Sequence, residues 1–277
     1  MKILPKGVSM ANRPLILVTN DDGIDSPGLH AAAEAVADLG DLLIVAPLHQ
    51  QSGAGRSYIL QTDNVIYATE ITLNGAHHPA YKANVSPAQA VMMAVVKVAQ
   101  RPIDLCISGI NYGENVGSGI TVSGTVGAAL EAASFDIPAL AISFETAPEF
   151  HLSHSREIDF SVAAHFTHYF ARQTLERGLP TGVDLLKIDI PVTATSQTPW
   201  QTASISRQRY FEPVKRNGPD EQAHIDYQIY INRDTLEPGS DIYVLAVEKQ
   251  VAVVPMTIDL TAPVALESVT KFFNGNL

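Results

Sequence analysis

"LILVTNDDGIDSPGL", residues 15–29, carries the reading of the fold. Its opening, "LILVTN" (15–20), is a short apolar, β-branched run of the kind buried on both faces of a parallel sheet. Ser26 and Pro27 follow as an N-cap and a first helical residue. Leu29, Ala33, Val36 and Leu39 recur at helical spacing, with Gly40 as the expected stop. "LLIVAP" (42–47) is the next strand. Strand, helix and strand joined by short connections make a βαβ unit, and so a parallel sheet. Where the first strand ends, Asp21 and Asp22 stand side by side. Like charges so close repel, and each raises the other's pKa. A bound cation would relieve both.

The pattern continues outward. Residues 57–82 read as short strands with a turn at Asn74–Gly75. The spacing predicts a helix over 86–100 behind a Ser86 cap, a strand over 103–108 and a glycine-rich loop over 109–124. A helix over 125–135, a strand over 138–144, a longer helix over 156–177 and a strand over 184–191 follow. After about residue 195 alternation takes over, with Ile225, Tyr227, Ile229 and Ile231 set against Asp226, Gln228 and Tyr230. "DIYVLAVEKQVAVVPM" (241–256) reads as a hairpin turning near Glu248–Gln250, and "APVALESVTKFF" (262–273) as a helix. The expected organisation is an α/β core over 14–194 and a β-rich arm with a terminal helix over 195–277.

Composition sets limits. A chain of 277 residues, 46% hydrophobic and 17% charged, can build a large core without disulfides. Its one cysteine, Cys106, falls in an apolar run, which suits the core and a reducing compartment. A net charge of −11 argues against general nucleic-acid binding. No run approaches the roughly 20 apolar residues of a membrane span, and residues 1–13 lack a signal-peptide core. The expectation is a cytoplasmic protein with no membrane partner.

Ligands of open α/β sheets bind beyond the carboxyl ends of the strands. Three such ends are polar here: Asn20, Asp21 and Asp22; the loop leading to Ser52; and Ser108 to Asn111. Together they offer carboxylate, hydroxyl and amide oxygens, the ligand set of a hard cation such as Mg²⁺. Taken singly, the same residues read as a turn at Asp22-Gly23 and a loop cap at Asn111. Ser123, Gly124 and Thr125 open a helix, either as ordinary capping or as an anion site built from free N–H groups. Other motifs fail. "NDDGID" lacks the spacing of a calcium loop. "GITVSGTV" has no P-loop lysine, and "GSGITVSG" misses the dinucleotide fingerprint. "HFTH" (165–168) lacks the zincin glutamate.

"ILVTNDDGIDSPGL", "VAP" with the following "SG", "SGIN.G.N.G" leading to "SGTV.AALE", and "PALAIS" resemble the SurE family of survival-protein nucleotidases, and "LLKIDIP" and "VAVVPMTIDLT" resemble its C-terminal blocks. The resemblance implies a Rossmann-like, mostly parallel sheet flanked by helices, with a C-terminal β-hairpin arm and terminal helix used for assembly into a homodimer or homotetramer. It implies a phosphatase acting on nucleoside 5′-monophosphates, with 3′-monophosphates as the second candidate substrate, and one Mg or Mn ion per subunit. A nucleotide-binding sensor without catalysis is the rival. The family's metal ligands fall on Asp21, Asp22, Ser52 and Asn111, with Asp21 and Asp22 as the catalytic pair. The phosphate and substrate side falls on Asn20, Gly53, Asn115, Ser123, Gly124 and Thr125. Two positions depart from the family: Gln51 replaces an arginine before the metal-binding serine, and Gln89 an acid. Gln51 is expected to weaken substrate binding, with Arg56 able to compensate. A thirteen-residue extension precedes the first strand.

Overall fold

The structure is a computed structural model that describes residues 13–60, 64–217 and 223–275. The extension, Arg13 apart, lies outside the described residues. In chain order the strands are β1 (Leu15–Thr19), β2 (Asp41–Pro47), β3 (Ile66–Leu73), β4 (Ala76–Ala83), β5 (Leu105–Tyr112) and β6 (Ala139–Phe144). They continue as β7 (Leu185–Ile190), β8 (Trp200–Thr202), β9 (Phe211–Asn217), β10 (Ala223–Ile229) and β11 (Val251–Met256). The helices are α1 (Pro27–Val36), α2 (Pro87–Met93), α3 (Gly124–Ala133), α4 (Ser161–Arg177) and α5 (Leu266–Asn274).

One sheet runs in the order β3-β4-β2-β1-β5-β6-β7-β11-β8. Its six central strands, β4 to β7, are parallel. β1 shows why its sequence is uniformly apolar: Ile16 and Val18 pack beneath α1 and α4, while Leu15 and Leu17 pack toward α2 and α3. Both faces are dry, as crossover helices require. Cys106 is buried in this core. Among the described residues no helix is long and apolar enough to cross a membrane.

The expected elements are present with shifted ends. Ser26 and Ser86 cap their helices, and the β3–β4 turn is Asn74–Gly75, both with positive φ. α1 stops at Val36 with Ala37 as its cap, so Gly40 is not its terminator. α2 gives way to a wider helical turn over Ala94–Val98. β5 runs on to Tyr112, into what reads as loop, and Gly117–Val122 forms a 3₁₀ turn.

The reading of 241–256 as a hairpin is corrected. Tyr243–Val247 is a helical turn, and β11 pairs antiparallel with β7 in the main sheet. Within it "YVLAV" (243–247) has no polar break, and periodicity cannot separate a buried helical turn from a strand there. Ser240 and Asp241 start the helix: Ser240 Oγ accepts from the Tyr243 N–H and Asp241 Oδ1 from the Ile242 N–H. β8 and β11 thus extend the core sheet from beyond residue 195, and only β9 and β10 form a separate antiparallel ribbon.

Candidate active site

The carboxyl ends of β1, β2 and β5 meet at a cleft of about 290 Å³, close to the low end of small-molecule sites. Asp21, Ser52, Gly53, Asn111, Asn115 and Ser123 line it. β5 bulges against β6 between Ser108 and Asn111. Gly109 makes the bulge, with φ of +134° and no room for a Cβ, which would stand 2.3 Å from the Ile142 carbonyl oxygen. Beyond the bulge Asn111 pairs with Ser143 on β6, and it lines the cleft. Its Nδ2 donates to the carbonyls of Gly113 at 2.7 Å and Tyr112 at 3.2 Å. That pairing fixes the amide, so Oδ1 keeps its lone pairs free.

Asp21 and Asp22 are both buried, at 4% and 1% exposure. Burial pushes Asp21 above the usual carboxylate range despite the hydrogen bonds it accepts. Thr125 Oγ1 donates to it, and the backbone N–H groups of Gly124 and Thr125 face it. Only glycine fits at 124, since a Cβ would stand 2.6 Å from Asp21 Cβ. The N-terminus of α3 therefore takes Asp21 as its anion. Asp22 is pushed further up, by burial first and then by the charge of Asp21. Gln50 Nε2 donates to its Oδ1 at 2.9 Å and the Tyr112 N–H faces the carboxylate, while the buried Oδ2 lies outside hydrogen-bond geometry with any group.

The structure redistributes the substrate set. Asn20 is spent on the turn, its Oδ1 accepting from the Gly23 N–H and its Nδ2 donating to the Gly23 carbonyl. Thr125 and Gly124 serve Asp21 and stand back from the cleft wall. Ser123 caps α3 through its hydroxyl oxygen, which leaves the hydroxyl proton for another acceptor. Asn115 lines the cleft with its Nδ2 donating to Ser143 Oγ. Gln89 completes a capping box with Ser86 and holds Ile59 at both its N–H and carbonyl. It does not line the cleft. Nor do Gln51 or Arg56; Arg56 pairs with the buried Glu131 at 2.7 Å.

Sequence reasoning missed the other half of the cleft. Glu114, His151, Phe211 and Tyr227 line it. His151 Nε2–H donates to the Thr146 carbonyl and its Nδ1 accepts from the Tyr227 hydroxyl. Burial holds its pKa down, so it is a neutral wall with both nitrogens used. His154 Nε2–H donates to the Asp22 carbonyl at 2.8 Å, seating this segment on the acidic turn. Gln50 lay in view beside Gln51, and Glu114 inside the "SGINYGEN" block. Nothing local in the sequence brings Phe211 and Tyr227 to the cleft.

A hard cation fits this donor set. The unpartnered Asp22 oxygen and the free Asn111 amide oxygen are what such an ion would take. Among the described residues no group of three or more His, Cys, Asp or Glu is arranged to hold a metal, so the neutral oxygens are essential to the set.

The family model described as "Survival protein SurE" matches residues 16–212. A protein of Thermococcus kodakarensis named 5′-nucleotidase SurE is 42% identical over 257 residues, covering 92% of this chain and 97% of its own. Another of that name, from Methanocella arvoryzae, is 41% identical over 89% of this chain and 93% of its own. The crystal structure of the SurE protein from Aquifex aeolicus superposes with a TM-score of 0.73 at 26% identity, over 95% of this chain and 100% of that one.

Proposed function

The chain belongs to the SurE family, and we propose that this 5′-nucleotidase hydrolyses nucleoside 5′-monophosphates to nucleoside and phosphate using one divalent cation, magnesium or manganese, per subunit. One observation carries the reading: a buried carboxylate oxygen of Asp22 without a hydrogen bond, next to Asp21, which lines the cleft where Asn111 keeps an amide oxygen free.

Asp21, Asp22, Ser52 and Asn111 would hold the cation. When bound, such an ion polarises a phosphoryl oxygen and lowers the pKa of a bound water. The chain's own residues supply position and field, which is most of phosphoryl-transfer catalysis. Thr125 and the α3 N-terminus fix the charge of Asp21, and Gln50 fixes Asp22. Ser123 offers its hydroxyl proton to a phosphoryl oxygen, with Gly53 and Asn115 lining the same cleft. His151, Phe211 and Tyr227 keep water from the far wall.

Phosphate release from 5′- and 3′-monophosphates, before and after chelation and with each cation restored, tests the reading. Release that needs the cation supports it. Release undiminished by chelation, or saturable nucleotide binding without turnover under either cation, overturns it. The relative rates on the two phosphate positions decide whether 3′-monophosphates are also substrates.

A further inference from the structure

Glu114 is a carboxyl group without an occupation. It lines the cleft, is 2% exposed, and neither oxygen has a hydrogen-bond partner. The Tyr210 hydroxyl lies close, short of hydrogen-bond geometry. Glu145 and Asp189 are near enough to oppose its charge. Burying a carboxyl unpaired is costly, and a fold has no structural reason to keep one. Its neighbours exclude a structural ion pair, since they are acids or neutral.

The surroundings say what would satisfy it. Tyr227 lies within range of its charge. Phe211 stands edge-on to both Tyr227 at 5.5 Å and His151 at 5.8 Å, so the three rings make one aromatic wall. A flat, apolar-faced ligand edged with polar groups suits a site with an aromatic wall and an acceptor pair beside it. Asp21, Ser52, Asn111 and Ser123 line the same cleft.

We propose that Glu114 is a specificity residue that reads the nucleoside, its two oxygens accepting hydrogen bonds from an adjacent pair of donors on a ligand lying against Phe211 and Tyr227. This rests on the nucleotidase reading of the cleft. Two nucleoside features carry such a pair: the N1–H and N2–H₂ edge of guanine, and the 2′,3′-diol of ribose. Adenine and the pyrimidines have no base edge with two adjacent donors. Burial, then the charges of Glu145 and Asp189, push the carboxyl up to about 7, so at pH 8 it is mostly ionised and offers both oxygens.

Binding of free nucleosides tests this without calling on phosphatase activity. Guanosine, inosine, adenosine and 2′-deoxyguanosine are titrated at pH 8 into the full chain and into Glu114→Gln, with melting curves as the folding check. Recognition of the guanine edge predicts guanosine at least tenfold tighter than inosine and adenosine. Recognition of the diol predicts guanosine at least tenfold tighter than 2′-deoxyguanosine. Glu114→Gln erases whichever preference the native chain has, and Glu114→Ala does the same should the amide fail to fold. Equal affinities for all four in the native chain, or an unchanged preference in a folded variant, overturn the proposal. Failure of the nucleotidase reading is a separate result, absence of phosphate release from any monophosphate.

Discussion

The Gln50 amide donates to Asp22 at 2.9 Å and to the His151 carbonyl at 2.7 Å, bridging the acidic turn to the cleft wall. Supports of this kind set ligand orientation, and losing one lowers metal affinity by about 10–100-fold. Gln50→Leu should therefore weaken Mn²⁺ binding by at least about tenfold in a calorimetric titration, with Asp21 and Asp22 untouched. Because burial, then the charge of Asp21, raises the pKa of Asp22, its proton must leave before the oxygen can ligate. Cation binding should release protons, and apparent affinity should rise with pH through the raised pKa and fall below it. Heats of binding that do not vary with buffer ionisation enthalpy would contradict this. The adjacent Gln51 has a different part: only its backbone N–H meets the site, at the Asp21 carbonyl. Contrary to the sequence expectation, Gln51→Arg should leave KM for nucleoside monophosphates unmoved. Arg56→Ala should cost on the order of 1 kcal/mol of stability by unpairing the buried Glu131, with little effect on KM. A severalfold KM change in either variant would return these residues to the substrate.

At the scale of elements, α2 illustrates how a family departure becomes a structural device. Gln89 Oε1 accepts from the N–H groups of Ser86 and Ile59, and its Nε2 donates to the Ile59 carbonyl. It pins the loop after Arg56 to the helix start. Gln89→Ala should cost about 1 kcal/mol, the usual worth of a cap, seen as a lower urea midpoint with unchanged slope. The central strands were legible because burial on both faces leaves unbroken apolar runs, as in β1, β2 and β6. Caps were legible because Ser26, Ser86 and Ser123 act through local hydrogen bonds. Tyr243–Val247 was not, since an all-apolar stretch has no period to read. Nor was the aromatic wall, because Phe211 and Tyr227 reach the cleft through the placement of the β9–β10 ribbon, a tertiary fact.

Across the whole molecule, segments far apart in sequence fasten the cleft loop. Lys187 on β7 pairs with Asp189 and, at 3.1 Å, with Asp241, all fully buried. Burial opposes the lysine's charge, but the two carboxylates outweigh it and raise its pKa. Asp189 accepts from the Asn115 N–H at 2.7 Å and Asp241 from the Gly117 N–H at 3.1 Å, so the loop that carries Glu114 is tied to β7 and to the start of the Tyr243–Val247 turn. α5 stands outside this framework. All of its described side chains are exposed, with Leu266, Phe272 and Phe273 at 67%, 80% and 80%. An amphipathic helix with an open apolar face suits a partner surface, and we propose that it serves self-assembly. The native chain should sediment as an oligomer, and truncation before Leu266 should lower its assembly state while leaving phosphate release per subunit within about twofold; a monomeric native chain, or an unchanged assembly state, would contradict this. The claim on which the rest depends is that Asp21 and Asp22 hold a catalytic cation. Metal assistance is worth several kcal/mol, and each ~1.4 kcal/mol is tenfold in rate. The most direct measurement is phosphate release from a nucleoside 5′-monophosphate by the native chain and by Asp22→Asn, each with Mn²⁺ and with excess chelator. The account predicts that the folded variant falls by about a hundredfold or more, to the level of the chelated native chain; near-native release by Asp22→Asn, or by the native chain in chelator, would contradict it.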